Sequence, residues 1–382
     1  MRYRRLGKSG LQVSEVGLGC EYLEGKTYEQ IQAVVDAALE AGINIFDVFM
    51  AEPQVRSNIG RALRGRREQV VIQGHIGAAW DGQYTRTRDI QSCRDYFQDL
   101  LDRLETNYID IGMIHNVDEQ QDYDGIFSSE IIEFAKEMKA NGTIKSIGIS
   151  THTPAIGMQA AKTGLIDVIL FSANPAYDMV PADTNIDSLF VPATFQSETL
   201  LGMDPSREAF YRTCEALDIG VTIMKGLAAG MLMNPKTTPF TQPMTVTQLV
   251  HYALTRPAVT SILVGCQSVE EIAAAVYYEQ ASDEERDFGA VLSHSPRYSI
   301  QGKCMYCNHC LPCPMHVNVA QVNQYLDLAL AAGAVPPTVK EHYFAMQTQA
   351  SDCIECGACE GRCPFNVPVI ERMQKAKEVF GG

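Results

Sequence analysis

Eight cysteines in two short runs constrain this chain more than any other feature. The first run reads Cys304-Met-Tyr-Cys307-Asn-His-Cys310-Leu-Pro-Cys313-Pro314, and the second Cys353-Ile-Glu-Cys356-Gly-Ala-Cys359-Glu-Gly-Arg-Cys363-Pro364. The second has the C-x2-C-x2-C-x3-C-P spacing that holds iron–sulfur cubes, and the first is one residue shorter before its last cysteine. Three thiolates so spaced wrap one face of a cube, and the fourth ligand comes from the other run. The spacing therefore assigns Cys304, Cys307, Cys310 and Cys363 to one [4Fe-4S] cluster, and Cys353, Cys356, Cys359 and Cys313 to another. Pro314 and Pro364 suit a chain that turns away after its last ligand. Two all-thiolate zinc sites are an alternative for eight cysteines. Four cysteines packed this tightly, twice, each run closed by proline, is not the spacing of a zinc ribbon or finger. Disulfides are the other alternative and fit an intracellular chain poorly.

The 382 residues exceed the size at which single cores stop growing, so two domains are expected. The formal net charge of −15 and the lack of a basic run argue against nucleic acid or an anionic membrane as partner. The start, MRYRRLGKSGLQVSE, has no apolar stretch behind its basic residues, so no signal peptide is expected. No apolar run approaches a bilayer span. These features together predict a soluble, cytoplasmic protein. Cys20, Cys93, Cys214 and Cys266 lie outside the runs and read as small buried apolar residues.

Residues 1–280 alternate short apolar runs with helical patterns. A hairpin over Arg2 to Arg5 and Leu11 to Val13 is followed by eight buried strands, beginning near Val16, Ile43, Val70, Tyr108, Ser146, Val168, Val221 and Ser261. Thr27 to Gln30 forms a capping box before the first helix. Eight strand–helix units fit an α/β fold of the (β/α)8 TIM-barrel type. A doubly wound sheet lacks its expected GxGxxG after the first strand. Between the sixth strand and its helix, Asn174 to Pro205 is long and aperiodic, which suggests a lid over the barrel mouth. Residues 281–382, with both cysteine runs and helices near Val319 and Val369, form an α-helical ferredoxin-like domain.

The segments RRLGKSGLQVSEVGLG, GINIFD, SNIGRALRG, YIDIGMIH, IGIS and SILVGCQSVEEI give residues 1–275 a resemblance to the aldo-keto reductase superfamily. A barrel followed by two cysteine runs resembles its iron–sulfur branch. The resemblance implies an Asp, Tyr, Lys, His tetrad in which tyrosine protonates a carbonyl while NADPH gives a hydride. Asp47 matches the aspartate and His115 the histidine, but Glu52 stands where the tyrosine is expected and His75 where the lysine is expected. The cofactor positions drift too. Ser150 and Thr151 replace Ser-Asn, Leu170 replaces a glutamine, Met224 replaces an aromatic stacker, and Gln267 replaces a basic residue. Ser150, Lys225, Gly265 and Ser268 remain as candidate cofactor contacts.

Asp47, Glu52, His75 and His115 are expected to converge at the mouth, where active sites of this fold sit. Three roles are open for them: acid–base work, a facial metal site of two His and one carboxylate, or purely structural histidines. Lys225 is a candidate ion-pair partner of Asp47. His309 and His316 read as hydrogen-bond donors around the clusters rather than ligands. The leading expectation is an oxidoreductase acting on a small-molecule substrate, with single electrons passing through two [4Fe-4S] clusters. A nicotinamide gives a hydride whereas a cluster takes one electron, so NADP(H) or flavin in the barrel stays open, as does a ferredoxin or flavoprotein redox partner. The alternative is an electron carrier or a lyase scaffold whose barrel has lost carbonyl reduction.

Overall fold

The computed structural model describes residues 1–182, 184, 188–189, 191–196, 202–295 and 301–381. Two compact units divide the chain. The first comprises Met1–Ala173, Ile219–Gly226 and Val259–Glu279; the second comprises Asn174–Asp218, Leu227–Ala258 and Gln280–Gly382. The second unit thus takes in two segments from before residue 280, besides the C-terminal residues.

The first unit is built on eight parallel strands. Strands β1 (Tyr3–Arg5) and β2 (Gln12–Ser14) pair antiparallel, ahead of β3 (Val16–Gly19), β4 (Ile45–Val48) and β5 (Val71–Ile76). A second antiparallel hairpin, β6 (Ala78–Trp80) and β7 (Tyr84–Arg86), comes next. The remaining strands are β8 (Ile109–Ile114), β9 (Ile144–Thr151), β10 (Val168–Ser172), β11 (Gly220–Met224) and β12 (Val259–Gly265). The barrel closes in the order β10-β11-β12-β3-β4-β5-β8-β9, as the alternating pattern predicts. Its strands read as near-continuous apolar runs because both faces are covered: every residue of β8 and β10 is buried. Leu6 and Val13, from the β1–β2 hairpin, join Ile45, Ile111, Met113, Val168, Leu170 and Leu263 in the barrel core.

Local sequence sets the helix starts. Thr27 accepts from the Gln30 N–H at 3.3 Å while Gln30 Oε1 accepts from the Thr27 N–H at 3.0 Å, so the capping box forms and Tyr28–Glu40 is helical. The β6–β7 hairpin is absent from the sequence expectation. Gly77, at φ +89°, takes a backbone conformation that side-chain-bearing residues avoid and turns the chain from β5 into β6. Asp81-Gly82 then makes the tip of the hairpin, with Trp80 paired to Tyr84.

The second unit has its own apolar core, including Phe288, Leu326, Phe365 and Met373. Its helices include Val319–Ala332 and Val369–Phe380, close to the expected positions. The two cysteine runs repeat one backbone course. Tyr306 and Glu355 take positive φ, as do Asn308 and Gly357 one residue after the second cysteine, and His316 and Asn366 after the proline. Left-handed residues interspersed in this way bend a loop tightly and turn N–H groups inward.

Part of the expected lid is fixed core. Asp178 is fully buried and accepts from Tyr252 at 2.6 Å, Tyr211 at 3.2 Å and Arg207 at 3.4 Å. A carboxylate held by three buried partners anchors its segment rather than hinging it. Residues 183, 185–187, 190 and 197–201 of the expected lid lie outside the described residues.

Candidate functional site

Alternation along a strand puts Gln73 and His75 of β5 on the same face, and the same rule carries Met113 to His115 at the end of β8. Asp47 of β4 is in register with Gln73. The three expected residues meet: His75 Nε2 lies 3.0 Å from Asp47 Oδ1, and His75 Nδ1 lies 2.6 Å from His115 Nδ1. Their exposures are 6% for Asp47, 2% for His75 and 6% for His115. A fourth residue completes the run from outside the barrel: the Tyr84 hydroxyl is hydrogen-bonded to His115 Nε2. At the other end Gln73 Nε2 donates to Asp47 Oδ1 at 2.9 Å, and the Thr222 hydroxyl donates to Gln73 Oε1 at 2.9 Å.

These bonds admit a consistent pattern of ring protons. Thr222 sets the Gln73 amide, so Asp47 Oδ1 accepts from Gln73 and also from His75 Nε2–H. In the pattern with one ring proton on His75, at Nε2, His75 accepts at Nδ1, and His115 donates from Nδ1 and accepts at Nε2, where Tyr84 donates. Burial, followed by the fields of His75, Arg88, Arg86 and His152, pushes the His115 imidazole well below its ordinary value, which keeps it the neutral acceptor this pattern needs. Burial likewise raises the Tyr84 phenol, against the pull of Arg86 and Arg88, so it keeps its proton.

The hairpin that brings Tyr84 is tied down on both strands. Tyr96 donates to the Trp80 carbonyl at 2.7 Å, and Arg86 donates to the Asn116 carbonyl at 2.6 Å. Arg88, paired with Asp122 at 2.7 Å, donates to the His115 carbonyl at 2.8 Å. Phe49 supplies an apolar wall, stacked on His115 at 5.7 Å and edge-on to Tyr84 at 5.8 Å. The Tyr84 side of the run is nonetheless open: the residue is 43% exposed.

Glu52 is not brought into this run. It caps the helix Pro53–Ala62, and its two oxygens accept the N–H groups of Gln54 at 2.9 Å and Val55 at 2.5 Å. Proline at the first helical position makes the residue before it a cap, so the expected role of Glu52 as the proton donor has this physical competitor. The facial metal reading also has one, since both ring nitrogens of His75 and of His115 are engaged in hydrogen bonds.

The candidate cofactor residues have structural partners. Ser150 accepts the Asn116 N–H at 2.7 Å and so holds the residue after His115. Ser268 caps the helix Val269–Val276. Gly265 lies under the Tyr22 ring, where an added Cβ would come within 2.4 Å of Cδ2. Burial lowers Lys225, and the carboxylates whose fields reach it are Glu21 and Asp118. Sequence reasoning missed Tyr84, and also His152, whose Nδ1 pairs with Asp118 at 2.9 Å beside the same site. Asp118, despite burial that would raise it, is held low by the bonds from His152 and Thr151. The Trp-Asp-Gly-Gln-Tyr stretch carried a hairpin signal that would have found Tyr84.

A neutral buried His115 has a measurable consequence. On unfolding the imidazole is released to titrate near pH ~6.5. Below that pH the unfolded state binds a proton that the folded state does not, so stability falls as pH drops through this window toward the lower folded value. A guanidinium midpoint is expected to fall between about pH 7 and about pH 5, and the fall should shrink in His115→Asn. An unchanged fall in that variant would assign the acid sensitivity elsewhere.

In the second unit the eight cysteines are all free of disulfides. Cys313, Cys353, Cys356 and Cys359 line one cavity, which Cys310 of the first run also lines, with Met315 and Ile354 beside them. Cys304 lies in the field of Cys363, and Cys310 in the fields of Cys304, Cys359 and Cys363. Burial raises the Cys304 thiol to about 12 and raises the Cys307 and Cys310 thiols as well, so these three ionise poorly without a bound cation. Backbone N–H groups already point at sulfur, with Glu355 donating to Cys353 Sγ at 3.4 Å. This donor chemistry fits iron–sulfur groups. His309 pairs with the Asp287 carboxylate.

Comparison with known proteins agrees with both halves. The Aldo/keto reductase family matches residues 15–247, and the 4Fe-4S dicluster domain matches residues 303–368. The uncharacterized oxidoreductase YqkF of Bacillus subtilis (strain 168) is 26% identical over 315 residues, 77% of this chain and 97% of its own. Protein tas of Escherichia coli (strain K12) is 26% identical over 182 residues, 40% of this chain and 53% of its own. The aldo-keto reductase AKR11C1 from Bacillus halodurans, in its holo form, aligns with a TM-score of 0.57 at 23% identity, over 75% of this chain and 94% of that one, a likeness of fold. With a closed eight-stranded barrel and a match over most of its length, this chain belongs to the aldo/keto reductase family of oxidoreductases and carries a 4Fe-4S domain after the barrel.

Proposed function

We propose that this oxidoreductase interconverts a small carbonyl compound and its alcohol at the barrel mouth, with Tyr84 as the proton donor and with electrons supplied through two [4Fe-4S] clusters rather than by NADPH. The observation that carries the reading is the continuous hydrogen-bonded run Tyr84–His115–His75–Asp47. An iron–sulfur cluster gives and takes electrons one at a time. Reducing one carbonyl to one alcohol takes two electrons and two protons.

The run has two proton states. In the arrangement described, every donor points inward, and Tyr84 can accept a proton from a bound alcohol while its own moves to His115 Nε2. With one more proton in the run, His115 Nε2–H donates to the Tyr84 oxygen, and the phenol O–H turns outward to a carbonyl oxygen. The second proton comes from solvent at the open side of Tyr84. Asp47, fixed by Gln73 and Thr222, steadies the inner end. A nicotinamide phosphate would meet poor chemistry here. The first turn of the helix Val269–Val276 carries Glu270 and Glu271, and Glu271 is bonded to the Gln267 N–H at 2.7 Å. Phosphate recognition prefers cations there.

Anaerobic stopped-flow mixing of dithionite-reduced holoprotein with a panel of small aldehydes and ketones tests the proposal. The iron–sulfur absorption is expected to return as alcohol appears, one alcohol per two electrons lost. Recovery of absorption without alcohol, or no response across the panel, would leave the protein a carrier.

A further inference from the structure

A buried cation needs a counter-charge. Arg256 is 3% exposed, and its guanidinium donates to the Met305 carbonyl at 2.7 Å, the Thr255 hydroxyl at 3.1 Å and the Tyr252 carbonyl at 3.3 Å. None of these is charged. Its faces meet the rings of Tyr252 at 4.5 Å and Tyr306 at 5.3 Å. No carboxylate among the described residues makes an ion pair with it. Asp178, whose field reaches Arg256, is already bonded to Arg207, Tyr211 and Tyr252. Against the burial that would lower it, Tyr252, Asp178, Tyr306 and Tyr211 hold the guanidinium above its ordinary value, so it stays charged. A charge taken out of water without an ionic partner is costly.

The placement is beside the first ligand loop, which two other cations also reach: Arg372, already paired with Asp327, whose field acts on Cys304, and Arg362, which donates to the Cys310 and Pro312 carbonyls at 2.8 Å. Met305 lies between Cys304 and Cys307, so the guanidinium is bonded to the ligand loop itself. Cys307 is the most buried of the eight cysteines, at 7%. An iron–sulfur group held by four thiolates is anionic, and more so when reduced. Burial in a low-dielectric site opposes that extra negative charge, and a fixed cation offsets it. The second run is arranged differently. Cys356 is exposed, and Lys377, which donates to the Cys353 carbonyl at 3.3 Å, also pairs with Glu355 at 3.8 Å.

We propose that Arg256 is the built-in counter-charge of the centre held by Cys304, Cys307, Cys310 and Cys363, and that its guanidinium keeps this buried centre reducible. The inference rests on the ligand assignment above and concerns a positioning residue that touches the ligand loop.

The test is an anaerobic redox titration of the holoprotein followed by electron paramagnetic resonance, with iron and sulfide assayed on the same sample. Arg256→Gln can still donate to the Met305 carbonyl but carries no charge. One midpoint is expected to move to lower potential by about 59 mV or more, tenfold in a one-electron equilibrium, with the other unmoved. Arg256→Lys should leave both near their wild-type positions. Unmoved midpoints in Arg256→Gln at full iron content would overturn the proposal, and so would equal shifts in the Gln and Lys variants. If Arg256→Gln loses iron, the Lys variant decides: full iron with wild-type midpoints supports a counter-charge, and the same iron loss refutes it. Wild-type protein without iron would instead remove the ligand assignment.

Discussion

Replacing Tyr84 by phenylalanine is expected to lower turnover of a carbonyl substrate by about 100- to 10,000-fold, the usual worth of a positioned proton donor. The phenylalanine ring keeps the edge contact with Phe49, at 5.8 Å, and the hairpin keeps its ties through Tyr96 and Arg86. Only the phenol oxygen leaves, so folding should change by about 1 kcal/mol, the net worth of one hydrogen bond. The loss should fall on kcat with KM little changed, because the oxygen acts on charge developing in the transition state. His115→Asn should lose turnover as well, since it breaks the run next to the phenol. Glu52→Gln should lose little, because Glu52 acts as a helix cap. Steady-state kinetics of the three variants at equal iron content check this. A fully active Tyr84→Phe beside an inactive Glu52→Gln would return the donor role to Glu52.

The second large effect concerns the cysteines. Wild-type protein purified without oxygen should carry about eight iron and about eight sulfide per chain, as two cubes require. Cys363→Ser should bring this to about four of each, and the centre lost should be the one built on the Cys304 run. The field of Cys363 reaches both Cys304 and Cys310. Cys313→Ser should do the reverse, since Cys313 lines one cavity with all three of Cys353, Cys356 and Cys359, where Cys310 is the one cysteine of the other set. Resonance spectra of the two variants separate the centres. Loss of each mutated run's own centre would contradict the crossed ligand assignment.

Much of this architecture is legible in the residues. The eight barrel strands stand out because a strand covered on both faces needs apolar residues at nearly every position, as in Ile109–Ile114. Asp47, His75 and His115 could be placed at the mouth because each lies at or just past the end of such a strand. Tyr84 could not be found by that rule. It belongs to a hairpin with strands of three residues, too short to show a period, and only Asp81-Gly82 marks its turn. Glu52 is the converse case: the family resemblance pointed to it as a catalytic position, and Pro53 after it sets a helix start that engages its carboxylate as a cap. The segment after β10 has the composition of a loop, yet Asp178 within it is buried, because its partners Arg207, Tyr211 and Tyr252 come from distant helices. Such long-range satisfaction of a carboxylate leaves no local pattern to read.

The most direct measurement of the central claim is reduction of an aldehyde panel by NADPH, using protein whose iron has been removed and protein whose clusters are intact and reduced. Negligible NADPH oxidation is expected from the iron-free protein, and alcohol formation from the reduced holoprotein without any nicotinamide. Rapid NADPH-dependent turnover by the iron-free protein would show that the barrel works alone as a hydride-transfer reductase, and would contradict the account.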